Sequence, residues 1–235
     1  MRRPRRPRAA TTLSLLAVSG STGPDDPGPA TPLFVAAEAG HLTEHRGVSR
    51  GAAWGDVDDD GDPDLFVTRP SYDGPAQVSV LYRNDAGVLQ PDSAPFLAHR
   101  GAGWEGAAWV DVDDDGDLDL HVVGRSGAGS VLFENEGGRL GARPDPGPLA
   151  DVRSASMACW ADADADGLLD VFVVGYRDDT NRLFRNLGPW RFESVALDPA
   201  ATGTGSGRAC VWAELDGDLL PELVIANARE PAVLL

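Results

Sequence analysis

A tryptophan recurs at four places in this 235-residue chain, Trp54, Trp109, Trp160 and Trp212, at intervals of 55, 51 and 52 residues. Each is followed two positions later by an acid: Asp56, Asp111, Asp162 or Glu214. A period near 50 constrains folding more than any single motif. A unit of that size cannot bury its apolar face alone and must stack on its neighbours, so the chain is read as four copies of one supersecondary unit.

Within each copy the order of signals is the same. Behind the acidic loop comes a short apolar run rich in β-branched and aromatic residues: DLFVT, DLHVV, DVFVV and, in the last copy, ELVIA. Such short runs with weak alternation predict strands buried on both faces. A third strand is predicted over VLYRN (80–84), VLFEN (131–135) and RLFRN (182–186), and Gly87, Gly137 and Gly188 then mark a turn into a fourth. No stretch of comparable length carries helical periodicity. The expected class is therefore all-β, with four-stranded units that match the blades of a β-propeller. The fourth copy breaks off near Leu235, which takes the place of Leu132 and Leu183 by distance from the Trp. Two arrangements follow: a closed four-blade ring, in which Pro32–Leu42 supplies the missing outer strand, or a fragment of a larger propeller, the reading preferred here.

The acidic loops present an electrostatic problem. Six carboxylates lie between Asp56 and Asp64, and two such charges about 5 Å apart repel by roughly 3 kcal/mol at an effective dielectric near 20. Aligned, the loops read Asp-x-Asp-x-Asp-Gly-x-x-Asp. Asp56, Asp58, Asp60 and Asp64 are the candidate side-chain ligands of the first, with the Asp62 carbonyl; Asp111, Asp113, Asp115 and Asp119 of the second, with the Asp117 carbonyl; Asp162, Asp164, Asp166 and Asp170 of the third, with the Leu168 carbonyl. Alternating carboxylates in a tight loop form an all-oxygen shell that suits Ca²⁺, giving about three sites. An EF-hand would need a Glu at position twelve and flanking helices, but that position is Val67, Val122 or Val173, on a predicted strand. In the fourth copy Glu214, Asp216, Asp218 and Glu222 keep the acidic spacing while Leu219 replaces the turn glycine, so this loop is read as degenerate. Asp59 and Asp114 are expected to face solvent.

With W-[GV]-D-V-D-D-D-G-D-x-D-L and L-[YF]-R-N in hand, the units resemble FG-GAP/VCBS repeats. These are the calcium-binding propeller blades of integrin α subunits, with similar units in bacterial exported proteins and in relatives of cartilage acidic protein. The resemblance covers residues 32–235. It implies a propeller, usually of seven blades, whose loop calciums rigidify the blades and whose surfaces serve adhesion or protein binding.

Composition narrows the function classes. The formal charge is −17 and no lysine occurs, which argues against nucleic acid or an anionic membrane surface as partner and suits bound cations. Residues 1–20, with five Arg before a modest apolar stretch, read as a secretory signal peptide, with a disordered basic arm as the alternative. Residues 21–31 read as a flexible linker. No later segment is apolar enough for a transmembrane helix. Cys159 lies one residue before Trp160 and Cys210 two before Trp212, so on equivalent strands they point to opposite faces. Buried free thiols are the reading favoured, with a disulfide left open.

The recurring Trp residues are expected to pack between units rather than to stack on sugars. His121, which stands where the other copies have Phe66 and Phe172, is expected to be a hydrogen-bonded core residue. No Gly-x-Ser-x-Gly, His-Glu-x-x-His or phosphate-loop motif occurs. The chain is thus read as an exported binding or adhesion module without catalysis, located outside the cell or in the cell envelope, with a protein or carbohydrate ligand. The alternative is an accessory or catalytic propeller domain of an extracellular hydrolase or lyase, which unique, non-repeated polar residues facing the channel would favour.

Overall fold

The computed structural model describes residues 41–44, 47–70, 78–92, 103–125, 127–177, 179–203 and 207–235. Residues 1–31, where a signal peptide and a linker are expected, and most of Pro32–Leu42 lie outside the described residues. Only the end of that segment is described: His41 and Leu42 begin a single helical turn, α1 (His41–Glu44). Leu42 packs on the first sheet.

Among the described residues, fifteen strands form four antiparallel sheets in chain order. The first contains β1 (Ala52–Gly55), β2 (Asp64–Val67), β3 (Val80–Asp85) and β4 (Val88–Pro91). The second contains β5 (Gly103–Val110), β6 (Asp119–Arg125), β7 (Gly129–Asn135) and β8 (Leu140–Ala142). The third contains β9 (Ala155–Ala161), β10 (Asp170–Gly175), β11 (Arg182–Asn186) and β12 (Phe192–Val195). The fourth has three strands, β13 (Gly207–Ala213), β14 (Glu222–Asn227) and β15 (Val233–Leu234). Every predicted strand is present, and each sheet is a propeller blade. Among the described residues, the other regular elements are a 3-10 turn at Gly147–Asp151 and one helical turn, α2 (Pro199–Thr202).

Blades stack through a repeated contact. The ring of Trp109 meets Phe66 edge-on at 6.4 Å, Trp160 meets His121 at 5.4 Å and Trp212 meets Phe172 at 6.5 Å. Each Trp therefore covers the second strand of the blade before it, and the indole N–H of Trp109 and Trp212 donates to the carbonyls of Ala53 and Cys159. Three core clusters result, between the first and second, second and third, and third and fourth sheets. No core cluster among the described residues joins the fourth sheet to the first. Accordingly Trp54 is 59% exposed, as are Val211 (57%) and Leu234 (60%). The latter two flank Val224 in one cross-strand row on the outer face of the fourth sheet. Buried on both faces, β6 and β10 match expectation, whereas β14 alternates because one face is open.

Two sequence readings change. Leu223 pairs with Leu235 and Val224 with Leu234, so Leu234, not Leu235, occupies the place of Leu132 and Leu183. The β14–β15 connection is one residue shorter than those of the second and third blades, which a count from the Trp misses. Cys159 and Cys210 are not free thiols but a disulfide. Their opposite facing is the reason: on successive blades, opposite faces are the two that meet, and the cysteines lie in the core between them.

Candidate metal centres

Each acidic loop links an inner strand to the strand beside it. The first acid organises the turn by accepting backbone N–H groups: Asp56 from Asp60 and Gly61, Asp111 from Asp115 and Gly116, Asp162 from Gly167. Two left-handed residues make the loop tight. At position six, Gly61, Gly116 and Gly167 have φ of 98°, 103° and 92°, which only glycine adopts without cost. Position four, left-handed too at Asp59, Asp114 and Ala165, was read in the sequence only as solvent-facing. Those residues are exposed, and Asp tolerates that conformation better than most.

The fold gathers positions one, three and five. Carboxylate oxygens of Asp56, Asp58 and Asp60 lie within 4.8 Å of one another, as do those of Asp111, Asp113 and Asp115, and of Asp162, Asp164 and Asp166. Position nine also anchors the backbone. Asp64, Asp119 and Asp170 are at most 2% exposed, and both oxygens of each accept backbone N–H groups. The donors are Val57 and Asn84, Val112 and Asn135, Ala163 and Asn186. These aspartates lie outside the gathered trios and tie loop to third strand. The side chains of Asp62 and Asp117 accept from Ala86 and Gly137 in the next hairpin; Leu168 has no such group.

Do these residues fit a hard cation? Oδ1 of Asp113 and Oδ1 of Asp162 are buried with no hydrogen-bond partner, oxygens left for a ligand the protein does not itself provide. Burial and neighbouring carboxylates raise the carboxyl groups of Asp58 and Asp113, and burial, opposed by backbone donors, raises Asp111 and Asp170 and pushes Asp119 up to about 7. A divalent cation offsets this charge, so the donor set and its electrostatics fit Ca²⁺. The copies differ in internal compensation. Arg83 lies 3.5 Å from Asp58, and Arg185 lies 2.9 Å from Asp164. The equivalent residue in the second copy is Glu134, which adds repulsion at Asp113; there Trp190 of the next blade donates to the carboxylate at 2.8 Å.

The fourth loop also brings Glu214, Asp216 and Asp218 together, all exposed. Its glycine stands at position four, and Leu219 takes the left-handed position six at φ 73°, a conformation that costs a side chain roughly 1–2 kcal/mol.

Sequence reasoning read the third-strand Asn only as a turn residue. Its amide oxygen does accept from Gly87, Gly138 or Gly188. Its amide nitrogen also reaches the loop of the preceding blade: Asn135 donates to the Val57 carbonyl at 2.8 Å and Asn186 to that of Val112 at 3.1 Å. Loop geometry and blade stacking are thereby coupled.

The profile of an FG-GAP-like repeat matches residues 56–122, 111–173 and 162–225, each match running from one acidic loop into the next blade. The chain belongs to the FG-GAP-like repeat family. Among curated proteins, none matches it. It is similar to a solved structure described as the basis of specific recognition of non-reducing terminal N-acetylglucosamine by an Agrocybe aegerita lectin. Identity is 20% and the TM-score 0.49, over 76% of this chain and 46% of that one. This FG-GAP-like chain thus spans about half the length of that structure. None of its helices among the described residues is long and apolar enough to cross a membrane.

Proposed function

We propose that this chain is an exported, calcium-stabilised propeller module that binds a protein or carbohydrate and performs no catalysis of its own. The observation that carries the proposal is the threefold repetition of a gathered aspartate trio, two of them with a buried, unpartnered carboxylate oxygen. In each loop the trio would hold Ca²⁺, with the carbonyl of Asp62, Asp117 or Leu168 as a further donor. The bound ion supplies charge neutralisation and rigidity. Because the trio is assembled only by the fold, binding adds its free energy to folding.

Export is supported by the disulfide, which persists in oxidising compartments, and by the arginine-rich leader of residues 1–20. The charge of −17 favours a ligand other than nucleic acid. Calorimetric titration of the chelator-stripped protein tests the metal reading. The proposal predicts about three calcium equivalents with millimolar or tighter affinity, and the absence of binding heat contradicts it.

A further inference from the structure

At the end of the sheets opposite the acidic loops, the inner strands break their repeat. Glu105 in β5, Ser156 in β9 and Arg208 in β13 each lie four residues before the repeated Trp. All three are bulge residues: the pairing passes from Trp104 to Gly106, from Ala155 to Met157 and from Gly207 to Ala209. A bulge re-aims its side chain out of the ladder. Arg50 stands at the equivalent place before β1. The backbone device is thus repeated while the side chains it aims are not, unlike the acidic loops.

Three of these positions, Arg50, Glu105 and Arg208, converge on one polar cluster. Arg125, the last residue of β6, pairs with Glu105 at 3.1 Å and stacks its guanidinium 3.7 Å from the ring centre of Tyr176, just beyond β10. Arg208 and Arg177 lie 5.1 and 5.4 Å from the same ring. Arg50 and Arg208 are near enough to act electrostatically on Glu105, whose carboxyl is nevertheless raised by burial. Four guanidiniums and one carboxylate meet here in a chain of net charge −17. Glu105 is 6% exposed, yet its Oε1 has no hydrogen-bond partner, and neither has Nε of Arg125. Left so, each orphaned group is unfavourable to bury.

We infer that this cluster binds a hydroxylated carboxylate, the chemistry of an acidic sugar residue such as a uronate. The excess of guanidinium selects an anion, and paired N–H donors match a carboxylate. The unpartnered Oε1 of Glu105 needs a donor from the ligand. An ammonium is disfavoured beside four positive charges, which leaves a hydroxyl. The inference rests on the binding-module reading and names a ligand class for it.

The test uses the full chain in calcium, titrated by calorimetry with sodium glucuronate, glucose and sodium sulfate, alongside Glu105→Ala and Arg208→Ala variants. Arg208 is exposed, so its variant keeps the fold, checked by an unchanged calcium-dependent melting curve. Glucuronate is expected to bind more tightly than either control and to lose about tenfold or more in affinity in each variant. Failure of glucuronate to bind, equal binding of glucose or sulfate, or binding that both variants leave unchanged overturns the inference. If the calcium-dependent melting curve persists in that case, the metal reading still stands.

Discussion

Cys159 of the third blade is bonded to Cys210 of the fourth, and the bond closes a loop of 51 residues across the interface between them. Loop-closure entropy for that length corresponds to about 4 kcal/mol of destabilisation of the unfolded chain. Denaturant unfolding with and without reductant is expected to show a lower midpoint in the reduced protein, and the Cys159→Ala/Cys210→Ala double variant should match it. An unchanged midpoint would mean that packing alone holds the fourth blade.

The Trp residues should divide by position. Trp109 packs on Phe66 and donates to Ala53, so Trp109→Ala should cost about 3–5 kcal/mol. Trp54 is 59% exposed, and Trp54→Ala should cost less than about 1 kcal/mol. Equal losses in chemical denaturation would refute the blade-stacking role assigned to this position.

His121 makes an acid-sensitive joint. Its Nδ1 accepts from the Trp160 indole, a donor only, so Nε2 carries the proton toward Ser130 Oγ at 2.7 Å. Full burial lowers its pKa from 6.5 to about 3. Between those values the unfolded chain binds a proton that the folded one excludes, so stability is fully present above pH 6.5 and is lost as pH falls toward 3. His121→Phe, the residue of the other copies, should flatten this slope in melting curves recorded across the interval. A parallel slope in the variant would assign the acid sensitivity elsewhere.

Positions three and nine of the second loop should separate metal binding from folding. Asp119 accepts backbone N–H groups from Val112 and Asn135, so Asp119→Ala should destabilise the protein in excess chelator as well as in calcium, by about 2–4 kcal/mol. Asp113 accepts the Trp190 indole N–H, and Asp113→Ala should chiefly reduce the gain that calcium provides. Melting temperatures of both variants with and without chelator check this; equal chelator-independent losses would contradict the division.

Much of the architecture was legible because it repeats. A Trp, an acidic loop and two apolar runs at one period specify strands, their order and their stacking without any long-range information. What did not repeat was hidden. Cys159 and Cys210 differ by one place relative to the Trp, and only the meeting of successive blades turns opposite facing into contact. The shortened β14–β15 connection shifted Leu234 and Leu235 by one place. The gathering of three acids in each loop was legible as a spacing, but not the use of Asp64, Asp119 and Asp170 as backbone acceptors, since a carboxylate that accepts from amides carries no mark of it in sequence. The bulges at Glu105, Ser156 and Arg208 left no compositional mark, and the polar cluster that Glu105 and Arg208 join became visible only in three dimensions.

The most direct test of the calcium account is the melting temperature of the full chain in excess chelator against that in millimolar calcium. The gathered, charge-loaded trios predict a substantially higher melting temperature with calcium, a gain that shrinks in Asp58→Ala and Asp113→Ala. Identical melting curves in chelator and in calcium would contradict the account.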